Sequence, residues 1–63
     1  MADVTVSREG SLFLFRPETA AAVLWIEDHV DPAAPTWGSA IVVEHRYARE
    51  LADGMIADGL EVR

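Results

Sequence analysis

Cysteine and lysine are both missing from this 63-residue chain, and each absence removes a class of explanation. Without cysteine there is no disulfide to staple a small fold, no thiolate nucleophile and no thiolate zinc site. The lack also fits a reducing cytosol. Without lysine, the basic residues are five arginines against eleven Asp and Glu, a formal net charge of −6. Direct nucleic-acid binding, which draws on clustered Lys and Arg, is therefore not expected, and neither is attachment to an anionic membrane surface. A basic partner would be attracted instead. Long apolar runs are missing too, since the stretch Ala20 to Ile26 falls far short of the ~20 residues that span a bilayer. Met1-Ala2-Asp3-Val4 shows no basic segment followed by an apolar one, so no secretory signal is expected. The expectation is a soluble cytoplasmic protein.

What is present is apolar material, at 51% of the residues. That is a generous supply for one domain spanning 1–63, because a chain this short buries only about 60% of the surface its unfolded form exposes. The charge is less concentrated than it first looks. A folded chain of this size exposes about 4,000 Å², or roughly 650 Å² per net charge, whereas duplex DNA carries one charge per ~1.7 Å of axis. Any resemblance to DNA would have to come from clustering.

Along the chain, Asp3 to Ser7 alternates apolar and polar residues and predicts a half-buried strand. Glu9-Gly10 supplies a turn, and Leu12 to Phe15 follows as a wholly apolar second strand, completing a hairpin. Pro17 suits the first position of a helix reaching about Asp28, with Ala22, Val23, Ile26 and Val30 on one stripe and Leu24 opposite. Two prolines make Asp31 to Pro35 a loop. Gly38 to Val43 predicts a third strand, and a second helix from Glu44 or His45 to Asp58 packs Ala48, Leu51 and Met55. Gly59 then caps that helix, and Leu60 and Val62 alternate as a last short strand. The expected fold is α+β, a two-layer α/β sandwich in the order ββαβαβ, with two helices on one face of a four-stranded sheet. The other face would then display either Leu12 and Leu14 or Phe13 and Phe15, a docking or dimerisation surface.

Catalytic chemistry is hard to place. His29 and His45 are the only imidazoles, and no ligand spacing supports a metal site around them and Asp28 or Glu44, so they are expected at the surface. Ser7, Ser11 and Ser39 lie in no nucleophile elbow, and the four glycines are too scattered for a phosphate loop. Carboxylate pairs exist, but general acid–base work also needs a pocket. The expectation is a binding protein without catalytic residues, metal or cofactor.

The candidate partner-binding residues are acidic: Glu27, Asp28, Asp31, Glu50, Asp53, Asp58 and Glu61. The first three gather at the C-terminal end of the first helix, where the helix dipole disfavours negative charge. On the second helix, Glu50 can pair with Arg46 and Asp53 with Arg49 at i,i+4, so those acids read first as a self-paired solvated face and only second as a binding patch. Trp25 and Trp37 are expected in the core, although Trp25 beside His29 and the acids could anchor an interface.

The stretch Ile41-Val42-Val43-Glu44-His45-Arg46-Tyr47-Ala48-Arg49, with Asp53-Gly54-Met55 and Ala57 to Val62, is similar to short proteins encoded by phages and mobile elements of GC-rich bacteria. Length, acidity and the small α/β pattern also resemble anti-CRISPR proteins directed against type I-C systems. That resemblance implies an inhibitor acting in the bacterial cytoplasm on the RNA-guided surveillance complex. Its partner would be a basic DNA-binding subunit, and it would block target DNA or PAM binding. The alternative is a small structural or assembly protein that dimerises, weakly, or docks through an apolar sheet face.

Overall fold

The computed structural model describes residues 1–63. Its fold is α+β: a four-stranded antiparallel sheet with two helices packed against it. Strands β1 (Val4–Glu9) and β2 (Leu12–Pro17) form the first hairpin, in a register from Val4 opposite Pro17 to Glu9 opposite Leu12. Gly10, at φ 63°, and Ser11 make its two-residue loop. A left-handed Gly ahead of a residue with negative φ is the pattern of a type II′ turn, whose twist matches the strands it joins.

The helix α1 (Ala20–His29) starts three residues later than Pro17 predicted. Pro17 instead ends β2, where its missing N–H costs nothing at a strand terminus. Thr19 is the N-cap, its hydroxyl accepting the Ala22 N–H at 3.2 Å.

The fourth strand of the sheet lies directly after the expected loop at residues 31–35, at residues that the sequence pattern assigned to no element. Thr36–Trp37 (β3) pairs with β4 (Ala40–Glu44) across a second Gly-Ser turn, with Gly38 again at φ 63°. The sheet order is β1-β2-β4-β3. The expected last strand is reduced to a single parallel bridge between Val62 and Val4. The chain leaving the second helix returns along the outer edge of β1, where the Glu61 carbonyl accepts both the Asp3 and the Val4 N–H, the Arg63 N–H donates to the Val4 carbonyl and the Arg63 carbonyl accepts the Val6 N–H. The element order is therefore ββαββα, and the two-layer arrangement stands.

The helix α2 (His45–Ala57) begins where expected and ends at Asp58. Gly59, at φ 93°, closes a Schellman motif in which the Leu60 N–H reaches the Met55 carbonyl and the Gly59 N–H reaches that of Ile56, each at 3.0 Å. Both helices bury one side against the same sheet face, in a single core of Val4, Phe15, Ala22, Ile41, Ala48 and Met55. Full burial of a side chain such as Phe15 contributes about 1.5–3 kcal/mol.

The alternation of β2 sends Phe13 and Phe15 toward the helices and leaves Leu12 and Leu14 on the side without a second layer. Leu14 and Ala40 are nevertheless buried, outside the main core. Leu14 occupies a central strand between Ser7 and Val42, so flanking side chains cover it. Trp37, expected in the core, is 61% exposed, because it stands on a two-residue edge strand with no helix above it.

Candidate partner-binding surface

The seven acids separate into groups once the chain is folded. Asp58 and Glu61 are taken up by the fold. The Asp58 carboxylate accepts the Trp25 indole N–H at 2.7 Å and lies 3.6 Å from His29 Nε2, which ties the end of α2 to the middle of α1. The His29 ring stacks on that indole at 4.1 Å, with Nδ1 2.8 Å from the Trp25 carbonyl oxygen. Trp25 is thus half-buried between the helices, with Gly54 of α2 directly against its ring. Glu61 forms an ion pair with Arg63, and its backbone N–H donates to Asp3.

Glu50 and Asp53 are exposed on α2, and neither forms the expected ion pair. Arg46 turns back to Glu44 at 3.5 Å and lies 5.0 Å from the Tyr47 ring centroid. The physical reason is orientation: an arginine placed N-terminal to its acid at i,i+4 is the weaker of the two arrangements. Glu50 shares a shallow groove with Trp25, His29 and Tyr47, whereas Asp53 points to solvent.

Glu27, Asp28 and Asp31 remain at the end of α1, all exposed. The side chain of Asp31 accepts the Ala33 N–H at 2.8 Å and shapes the turn that follows. Glu27 and Asp28 form no ion pair or side-chain hydrogen bond, and no arginine occurs between Arg16 and Arg46 to neutralise them. Two apolar residues join them, Leu24 as its place opposite the core stripe predicted and Val23 against expectation. Val23, assigned to the core stripe, is 42% exposed, and Leu24 is 61% exposed. Spacings of three and four residues place Val23 and Leu24 on the same helix face as Glu27 and Asp28. The signal was available in the sequence: Ala20 to Ile26 is apolar all round, which normally marks a helix covered on every side. Here only Ala22 is buried.

No three His, Asp or Glu side chains gather as they would around a metal ion. Ser11, Glu44, His45 and Arg46 line one open cleft, where the contact between Ser11 and His45 is a backbone hydrogen bond of 3.3 Å rather than a hydroxyl–imidazole one. The chemistry most developed at the surface is thus an apolar patch bordered by unpaired carboxylates. Comparison of the chain with protein-family models, curated proteins and solved structures finds no match.

Proposed function

We propose that this chain is a binding protein, not an enzyme, and that the outer face of α1 docks on a basic protein surface. The observation that supports this reading is the exposed set Val23, Leu24, Glu27 and Asp28, with apolar contact area at one end and two unneutralised carboxylates at the other. Interfaces commonly combine a desolvated apolar centre with a charged rim that steers encounter. The resemblance to type I-C anti-CRISPR proteins makes a DNA-binding subunit of an RNA-guided surveillance complex the first target to test. In that setting the acidic face would occupy the groove meant for target DNA or its PAM, inside the bacterial host cell.

The test is competition. Purified protein added to a crRNA-loaded surveillance complex should prevent target DNA binding, with an affinity that falls as salt rises. The double variant Glu27→Lys, Asp28→Lys should lose that inhibition. It should not lose stability, because it replaces acids with bases at a helix C-terminus, where the dipole favours cations. Undiminished inhibition by the double variant would remove α1 as the docking face.

A further inference from the structure

The sheet face away from the helices carries its own pattern, independent of α1. Its apolar residues are Leu12, 38% exposed at one end, and Trp37, 61% exposed at the other, with the buried Leu14 between those levels. Two charges of opposite sign on this face have no ion-pair partner: Glu9 at one end and Arg16 at the other. The other acids of this face are occupied: Glu44 by Arg46, Glu18 by the Thr5 hydroxyl at 3.0 Å, Glu61 by Arg63, and Asp3 by the Thr19 hydroxyl and the Glu61 N–H. Glu9 lies opposite Leu12 in the register and Arg16 opposite Thr5, so the two sit four pairs apart, with the Ser7–Leu14 pair midway.

We infer that this face binds a second copy of the same chain, about a twofold axis that crosses the strands at the Ser7–Leu14 level. Such an axis reverses strand direction and lays β1 on β1 of the partner. Glu9 of each copy then stands over Thr5 of the other, within a side chain's reach of the neighbouring Arg16, and the axis forms this pair twice. The short fourth strand supports the same arrangement. Trp37 lies next to Ala40, at the Arg16 end of the face, and β3 supplies no residue at the Leu12–Glu44 end. The axis therefore carries each Trp37 to the place where the partner's sheet is one strand narrower.

Four strands ~4.8 Å apart and up to six residues long make a face of about 400 Å². That is below the ~800 Å² per partner of a standard interface, so the dimer is weak and reversible. Two sheets stacked this way leave the outer face of α1 free, so the inference does not depend on the function proposed above.

Sedimentation equilibrium on the whole chain provides the test. The native protein should pass from monomer to dimer as concentration rises toward millimolar. Glu9→Arg and Arg16→Glu should each weaken association by about tenfold or more, since each places like charges in contact at both ends. Mixing those two variants in equal amounts should restore a heterodimer, in which both contacts again join Arg to Glu. Trp37→Ala, at an exposed edge position, should weaken the native dimer while leaving the circular dichroism spectrum unchanged. A native chain that stays monomeric at millimolar concentration would overturn the inference, as would a mixture no more associated than its separate components.

Discussion

Asp3 shows how much of this fold hangs on one carboxylate. One of its oxygens accepts the Thr19 hydroxyl and the other the Glu61 N–H, each at 2.8 Å, so the residue joins the start of β1, the cap of α1 and the returning C-terminal segment. The Glu61 N–H first, and the Thr19 hydroxyl second, hold its pKa below the usual 3.8, against a smaller opposing effect of burial. A depressed carboxylate pKa stabilises the fold above the unfolded value and loses that contribution as pH falls through the folded value. Acid unfolding followed by circular dichroism should therefore show less pH dependence below pH ~4 in Asp3→Asn, with lower stability at neutral pH, because the amide cannot accept both bonds. Asp58 makes a different point. Counted by charge it belongs with the binding acids, but its partner, the indole of Trp25, is 33 positions away in sequence. Asp58→Ala should cost about 1 kcal/mol in a denaturant melt and leave partner binding intact, the opposite of the outcome expected at Glu27 and Asp28.

At the level of elements, α2 contains a correctable weakness. Gly54 lies in its interior, and a methyl group there would meet the Trp25 ring at 3.7 Å, an ordinary contact distance. Gly54→Ala should thus raise stability by up to about 1 kcal/mol from helix propensity, readable as a higher melting temperature. The strong elements could be read from sequence alone: the first hairpin, both helices and the Gly59 cap. The Thr36–Trp37 strand could not, because two residues give alternation nothing to act on, even though the Gly38-Ser39 turn repeats Gly10-Ser11. The last strand was overread from the alternation of Leu60 and Val62, which reflects Leu60 packing on the core and Val62 making one bridge. For the candidate surface, periodicity located the acids of α1 but not the exposure of Val23. Which face of an all-apolar helix is covered depends on where the sheet lies, and that is a tertiary fact.

For the molecule as a whole, size sets the margin. Only eight of the 63 residues are buried, within an accessible surface of 4262 Å². A core this small rarely supplies more than about 3–5 kcal/mol of net stability, and truncating a buried Phe costs about 3–5 kcal/mol. Phe15→Ala should consequently leave the chain largely unfolded at 25 °C, with collapsed amide dispersion in its NMR spectrum. Surface variants on α1 or on the open sheet face do not run this risk, which is why function can be dissected there. The charge is also unevenly placed. The arginines flank a long central segment that has acids and no arginine, so the field is directional even though the average density is moderate.

The seam between the two ends of the fold has a mechanical consequence. Asp3 to Val6 and Glu61 to Arg63 run side by side in the same direction, joined by four backbone hydrogen bonds. A pull applied at residues 3 and 63 would slide these segments past each other and load all four bonds together, instead of opening them one at a time. Under tension the seam acts as a shear clamp, and the force the domain withstands is set by the unfolding rate of this junction more than by its modest equilibrium stability.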